Sequence, residues 1–380
     1  MKRALLSAVA AALVAIGTPP ASFAQEKIRI GLSGAFTGPA ALASEWEKWG
    51  VDLAAEEINA AGGLLGKQIE IVPVDNRCNP TEGANTARKL AQEKVSAIVG
   101  AHCSSATLAM MPIIADAKIP MITGVSSSPK IGELSGAGGN PWMFRISPDD
   151  LKMAEALTGY LGEKKLFKSI AIIAEDSDFG RGGAAAFKPL AEKAGIKIVS
   201  TDFAPQMMPD FTPLLTRVAQ RKPDAIAIFM LGADQLNLAR TAMQMGLKIP
   251  YTGRAELGGK MGEVVAAGGM EGSVSAWTYS PGIDNERNRK YAATILQKHK
   301  AAATLQSWAG YDSMQAIAQA IRDANSTDPS KIRDALAKTS FELLHGMKTS
   351  FNDHNQAAKV VVLQQVKDRK VSVLDLYQLK

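Results

Sequence analysis

The sequence lacks several features on which other classes of protein depend. Its 380 residues include only two cysteines and four histidines. After the N-terminal segment, no run approaches the roughly 20 consecutive apolar residues that a membrane-spanning helix needs. The formal charge of +6 comes from both signs spread along the chain, without a long basic block. These absences argue against a membrane-embedded protein and against a nucleic-acid-binding protein.

Motifs for several common reactions are also missing. A hydrolase nucleophile elbow needs Gly-x-Ser-x-Gly, and the similar stretches GLSGA at 31–35 and GVSSS at 124–128 do not fit it. GAFTGPA lacks the spacing of a dinucleotide-binding loop, and the chain has no Walker-type lysine motif. The histidines form no short-spaced pair with one another or with both cysteines. We therefore expect a protein that is not an enzyme and that holds no cofactor or metal.

The first 24 residues have the composition of a secretory signal. Lys2 and Arg3 precede the apolar run ALLSAVAAALVAIG, and SFA at 22–24 resembles a cleavage site. We predict that the mature chain begins near Gln25 and works outside the cytoplasm. In an oxidising compartment, an even number of cysteines favours a disulfide between Cys78 and Cys103 over two separate buried thiols.

The rest of the chain alternates strand-like and helix-like segments with short connections. KIRIGLSGAF is typical of a strand, EWEKWGVDLAAEEINAAGG is typical of an amphipathic helix, and the alternation continues to PMITG. The looser stretch VSSSPKIGELSGAGGNP interrupts the pattern, which then restarts and runs to IPYTG. Three further helical segments precede two β-rich runs around KDRK, which predict a hairpin. The sequence therefore predicts an α/β protein with two doubly wound, parallel-sheet lobes.

The stretch GAHCSSATLAMMP at 100–112 suggests a nucleophile, a metal ligand or a ligand cradle. A disulfide would remove the Cys103 thiolate that the first two need. A helix that begins near Ser104 would present hydroxyls and free backbone N–H groups, which favour an anion. The next strand ends at VSSSP, which supplies a second group of hydroxyls at the same sheet edge. Helix capping by Ser104 and Ser127 without a ligand is the alternative for each serine.

Six segments together resemble the periplasmic leucine/isoleucine/valine-binding proteins, the solute receptors of bacterial amino-acid ABC importers. The segments are KIRIGLSGAFTGPAA, INAAGGLLGKQIEIVPVDNRCNP, AIVGAHCSSAT, IPMITGVSSSP, FRISPDD and SIAIIAEDSDFGRG. The resemblance extends over essentially the whole mature chain. It implies two lobes joined by three crossover segments, a Cys78–Cys103 disulfide, and a ligand bound in the cleft as the lobes close. We predict lobes of residues 25–145 plus 277–352 and of residues 146–276 plus 353–380.

The resemblance also implies which residues bind the ligand. Ser104 and Ser127 would hold a carboxylate with their hydroxyls, and Val125 would contribute its backbone. From the opposing lobe, Phe179, in place of a tyrosine, would contact the ligand. The acidic partner of an α-ammonium falls on or next to Glu256.

Around the ligand the sequence departs from the leucine-type pattern. Ala43 replaces a tyrosine, with Trp46 nearby as a candidate cleft residue or a packing residue. A second tyrosine is absent from the region of residues 232–234. Arg254 lies close enough in sequence to neutralise Glu256, which would leave an ammonium without a partner.

The sequence therefore predicts a receptor for a branched-chain amino acid or a similar small hydrophobic or aromatic carboxylate. The resemblance implies a periplasmic monomer that delivers this small molecule to an inner-membrane ABC permease complex. The alternative is a sensor domain that reports amides or amino acids to a regulatory partner.

Overall fold

A five-stranded parallel sheet, in the order β2-β1-β3-β4-β5, organises the first part of the chain. The structure is a computed structural model that describes residues 26–257 and 260–379, so the predicted signal at 1–24 lies outside the described residues. All four residues of the central strand β3 are buried, as expected for a sheet covered by helices on both faces. The strands are β1 (Ile28–Gly34), β2 (Ile69–Asp75), β3 (Ala97–Gly100), β4 (Met121–Thr123) and β5 (Met143–Arg145). The helices are α1 (Ala41–Ala60), α2 (Pro80–Gln92), α3 (Ser104–Ala117) and α4 (Pro129–Glu133).

A second parallel sheet, in the order β7-β6-β8-β9, repeats the same plan. In both sheets the first strand of the unit lies between the second and the third, which is the doubly wound arrangement predicted from the restart of the pattern. The strands are β6 (Ser169–Glu175), β7 (Lys197–Ala204), β8 (Ala225–Phe229) and β9 (Tyr251–Gly253). The helices are α5 (Asp150–Lys164), α6 (Asp178–Lys193), α7 (Thr212–Gln220), α8 (Gly232–Gln244) and α9 (Met261–Ala266).

The C-terminal part adds helices and two antiparallel sheets. The predicted hairpin around KDRK is confirmed as β13 and β14, which pair antiparallel beside β10. The short hairpin of β11 and β12 was not predicted. The elements are β10 (Val274–Trp277), α10 (Glu286–His299), α11 (Leu305–Ala324), α12 (Pro329–Leu336), β11 (Ser340–Glu342), β12 (Lys348–Ser350), β13 (Val360–Lys367) and β14 (Lys370–Gln378).

Separate hydrophobic cores surround the two parallel sheets. The core of the first lobe includes buried residues of α10, α11 and α12, so the chain returns to this lobe after β10. Along β13, Val360 and Val362 pack into that core, whereas Val361 and Leu363 pack into the core of the second lobe. Neighbouring side chains of a strand point to opposite faces, so β13 contributes to both lobes. The exact boundaries of the lobes stay a prediction.

Helices α1 and α11 cross closely in the first lobe. A Cβ atom on Gly50 would lie 1.8 Å from the carbonyl oxygen of Ser307, and one on Gly310 would lie 2.2 Å from that of Glu47. Only glycine at both positions permits this approach, which a side chain would block. The crossing brings the first turn of α11 beside the first half of α1, at the edge of the cleft.

The predicted disulfide between Cys78 and Cys103 is confirmed, with Cα atoms 5.3 Å apart. It ties the loop after β2 to the start of α3. No helix within residues 26–257 and 260–379 is both long enough and apolar enough to cross a bilayer.

Candidate functional site

A cavity of about 250 Å³ lies between the two lobes, at the carboxyl ends of both parallel sheets. Its walls come from the segments that follow β1, β3 and β4 on one side and β6, β8 and β9 on the other. The structure places all six residues that the sequence assigned to a ligand on these walls. They are Trp46, Ser104, Val125, Ser127, Phe179 and Glu256.

Ser104 is the first residue of α3 and not its cap. Cys103 occupies the N-cap position and makes no side-chain capping bond. The Ser104 hydroxyl oxygen accepts the N–H of Ser128 at 3.2 Å, so its own proton remains available to a ligand acceptor. Since the first N–H groups of a helix have no partner within it, this end of α3 offers several donors to the cavity. The interpretation of Ser104 as a simple helix cap is wrong.

Ser127 has a protein partner for its hydroxyl. It donates to Oδ2 of Asp150, the first residue of α5, at 3.0 Å. The N-cap of α4 is Ser128, so Ser127 does not cap that helix either. Oδ1 of Asp150 accepts a hydrogen bond from Nη1 of Arg254 at 2.7 Å, and both charged side chains are buried. A buried Ser–Asp–Arg network therefore joins the two lobes.

Arg254 does not neutralise Glu256, because its ion pair is with Asp150. The guanidinium carbon also lies 4.6 Å from the ring centroid of Trp277 and 5.9 Å from that of Phe179. A guanidinium stacks favourably on aromatic faces, which fixes the arginine away from the acid two residues later. Burial raises the pKa of Asp150 to about 6, although the Arg254 charge and the Ser127 hydroxyl act in the opposite direction.

Glu256 is an acid without a cation. Its carboxylate makes no hydrogen bond or ion pair with any residue of the described ranges 26–257 and 260–379. A Cβ atom on Gly232 would lie 2.4 Å from Oε2 of Glu256, so the absence of a side chain at position 232 makes room for the carboxylate. Burial raises the pKa of Glu256 to about 7. A cationic group that enters the cavity would stabilise the ionised form of this acid.

Glu175, which the sequence analysis missed, lies on the same wall, but both of its carboxylate oxygens already accept hydrogen bonds from protein groups. Its Oε1 accepts hydrogen bonds from Oγ of Ser177 at 2.5 Å and from Nε2 of Gln206 at 2.9 Å. Its Oε2 accepts a hydrogen bond from the backbone N–H of Leu231 at 2.9 Å. Burial is the main cause of its raised pKa. Glu175 thus holds the loops after β6, β7 and β8 together. Its position at the end of a buried strand is the only sequence signal for this role.

Three further cavity residues were also missed. His102, which we did not assign to the site from the sequence, is buried, with Nδ1 2.9 Å from Oε2 of Glu47. Trp277 ends β10 and carries the stacked guanidinium, and Gln306 is the second residue of α11. The helix that contains Gln306 was predicted, but nothing in its sequence indicates that its first turn faces the cleft.

The two lobes touch across the cleft. Besides the Ser127–Asp150 bond, the N–H of Asp178 at the start of α6 donates to Ser105 Oγ at 3.4 Å. Both contacts join the serine-rich loops of the first lobe to the second lobe. These two hydrogen bonds hold the lobes in contact beside the cavity. In the part of the chain that the structure describes, no three His, Cys, Asp or Glu side chains are grouped to hold a metal ion.

Comparison with known proteins agrees with this architecture. The sequence is 27% identical over 338 residues to the leucine-, isoleucine-, valine-, threonine-, and alanine-binding protein of Pseudomonas aeruginosa, which covers 89% of each chain. It is 25% identical over 325 residues to the Leu/Ile/Val-binding protein of Escherichia coli K12, covering 85% of this chain and 86% of the other.

Solved structures show the same fold. The LivJ substrate-binding protein of Streptococcus pneumoniae, in complex with isoleucine, has a TM-score of 0.82 and 25% identity, covering 93% of this chain and all of the other. An ABC-transporter solute-binding protein of R. palustris in complex with benzoate has a TM-score of 0.84 and 21% identity, covering 92% of this chain and 96% of the other. The family described as periplasmic binding protein matches residues 27–370. With its two doubly wound lobes, its cleft and this match over nearly the whole described chain, the protein belongs to the periplasmic binding protein family.

Proposed function

We propose that this protein is the exported solute receptor of an ABC importer and that it binds an α-amino acid between its lobes. The relatives named above for amino acids and the solved complex with isoleucine support the amino-acid class. The predicted secretory signal and the disulfide support a place in an oxidising compartment such as the periplasm. We further propose that the receptor works as a monomer and delivers its ligand to a membrane permease.

The carboxylate of the ligand binds at the start of α3. The Ser104 hydroxyl and the first N–H groups of the helix are donors there, and the helix dipole favours an anion. Val125 lines the same wall and adds its backbone. Because the Ser127 hydroxyl already donates to Asp150, Ser127 contributes to the wall and to the interlobe network more than to the carboxylate.

The observation that carries the proposal is the unpaired acid Glu256. Glu256 is only partly exposed, and a carboxylate in such a site is stabilised by an ammonium group that brings the opposite charge. A plain aromatic acid brings no such group and would leave Glu256 uncompensated. The site thus favours an α-amino acid over benzoate-type ligands.

Closure of the cleft follows from these positions. The carboxylate contacts lie on the first lobe and Glu256 lies on the second, so the ligand binds both only when the lobes are together. Ligand binding stabilises the closed form, which the permease recognises. The Ser127–Asp150 and Ser105–Asp178 contacts add to this closed form.

Mass spectrometry of solute released from the purified protein, followed by calorimetric titration with alanine, leucine, valine and benzoate, tests the proposal. We expect α-amino acids to bind and benzoate to bind weakly or not at all. Glu256→Gln should abolish most of the affinity for amino acids, whereas Glu163→Gln, at an exposed acid of α5, should leave it unchanged. Tight binding of benzoate with no response to any amino acid would overturn the proposal.

A further inference from the structure

Two buried polar side chains on the first-lobe wall are not needed for the carboxylate or the ammonium of the ligand. They are His102, at the end of the segment after β3, and Gln306, in the first turn of α11. Both line the cavity, and only 4% of His102 and 8% of Gln306 is exposed.

The amide of Gln306 lacks a protein partner. Among residues 26–257 and 260–379, its side chain neither donates nor accepts a hydrogen bond. An amide that lines a cavity and has no protein partner keeps its donors and its acceptor free for the molecule that fills the cavity. A cavity-lining glutamine in this state is suited to a ligand that completes its hydrogen bonds.

A hydrogen bond to Glu47 holds the His102 ring in place. Its Nδ1 lies 2.9 Å from Oε2 of Glu47, and that acid is 1% exposed. The hydrogen bond at one ring nitrogen fixes the orientation of the ring and assigns the other nitrogen to further contacts. Nε2 of His102 has no hydrogen-bond partner in the described part of the chain. It is a donor when the ring is protonated and an acceptor when the ring is neutral.

The helix crossing brings these two groups to one region. The carbonyl oxygen of Glu47 lies against Gly310, one helical turn after Gln306. Trp46, the neighbour of Glu47, lines the cavity as well. The His102–Glu47 pair and Gln306 therefore share the part of the first-lobe wall where α1 and α11 begin.

We infer that His102 and Gln306 form a second polar subsite, which takes a carboxamide group on the side chain of the ligand. A carboxamide both donates and accepts, so it matches the amide of Gln306 and Nε2 of His102 in either protonation state. An aliphatic side chain would leave both groups buried and unpaired, so an amino acid with such a side chain should bind more weakly than one with a carboxamide. The inference rests on the proposed function, because it describes the side chain of the amino acid that the cleft binds.

The test begins with the wild-type protein, freed of co-purified solute, and calorimetric titration with asparagine, glutamine and leucine. Asparagine and leucine have nearly the same shape and differ in the carboxamide. We expect asparagine or glutamine to bind at least about tenfold more tightly than leucine, as expected when two buried polar groups gain partners. Tighter binding of leucine than of both amides would overturn the subsite and leave the proposed function intact. No binding of any amino acid would instead contradict the proposed function.

A variant then tests the residue directly. Gln306→Met keeps the length of the side chain, and we expect it to reduce the preference for the amide over leucine by about tenfold. Gln319→Met is the matched control, since Gln319 lies on the same helix and bonds to Asp323 at its surface. An unchanged preference in folded Gln306→Met would contradict the inference. If this variant does not fold, as judged by circular dichroism, the wild-type ranking of the three ligands decides.

Discussion

Replacing Arg254 with methionine would leave the Asp150 carboxylate buried without its cation. The two side chains are 5% and 1% exposed and form a 2.7 Å ion pair. Removing one partner of such a pair typically destabilises a protein by about 3–5 kcal/mol. Since each kcal/mol shifts the melting temperature of a domain of 150–250 residues by about 2–4 °C, the expected loss at neutral pH is about 6–20 °C.

The pH dependence of this loss identifies its cause. Burial already raises the pKa of Asp150 to about 6 with Arg254 present, so removal of the arginine raises it further. A carboxyl whose pKa is higher in the folded state favours folding below the unfolded pKa and loses that contribution as pH rises through the folded pKa. The Arg254→Met variant should therefore be strongly destabilised at pH 8 and approach the wild type near pH 5, where Asp150 is protonated.

Thermal unfolding followed by circular dichroism between pH 5 and pH 8 measures this effect. The double variant Asp150→Asn/Arg254→Met is the control, because it removes both members of this buried ion pair and leaves neither charge without its partner. We expect it to be more stable than Arg254→Met alone at pH 8. An equal destabilisation of Arg254→Met at every pH, or a double variant no better than the single one, would refute the reasoning.

Three further perturbations test other parts of the structure. Gly232→Ala would place a Cβ atom 2.4 Å from Oε2 of Glu256 and displace this carboxylate. We therefore expect amino-acid affinity to fall by at least about tenfold with little change in melting temperature. Unchanged affinity would show that the carboxylate does not contact the ligand. Replacing Cys78 and Cys103 with serine opens a loop of 25 residues, and denaturant unfolding should show a loss of about 3 kcal/mol; a loss near zero would be the contrary result. Ser104→Ala should weaken ligand binding by about tenfold with nearly wild-type melting, and a variant that melts early but binds normally would assign the hydroxyl a structural role.

The sequence predicts the framework of the protein well. Alternating apolar segments and short Gly-, Ser- and Pro-rich connections are local signals, and they indicate both parallel sheets, the start of α3 and the final hairpin. The two cysteines, in a chain with a predicted secretory signal, predict the disulfide. All six residues expected to meet the ligand lie on the cavity: five follow the ends of strands, and Trp46 lies on α1.

What the sequence does not predict are pairings that depend on how distant segments pack. Asp150 and Arg254 are 104 positions apart, and no local pattern indicates that they form an ion pair. Proximity in sequence suggested Glu256 as the partner of Arg254, but stacking on Trp277 turns the guanidinium elsewhere. Gln306 reaches the cavity only because α11 crosses α1 at two glycines. Such contacts are set by the tertiary structure.

The central claim is that Glu256 pairs with the α-ammonium of an amino acid, and proton release on binding tests it most directly. Burial raises the pKa of Glu256 to about 7, so near neutral pH the carboxyl carries a proton in part of the molecules and must lose it to pair with an ammonium. Calorimetric titration of the bound amino acid in buffers of different ionisation enthalpy should show net proton release at neutral pH, and affinity should fall as the pH drops below 7. Release should disappear in Glu256→Gln. An affinity that is constant from pH 6 to pH 8, with no proton released by the wild type, would contradict the account.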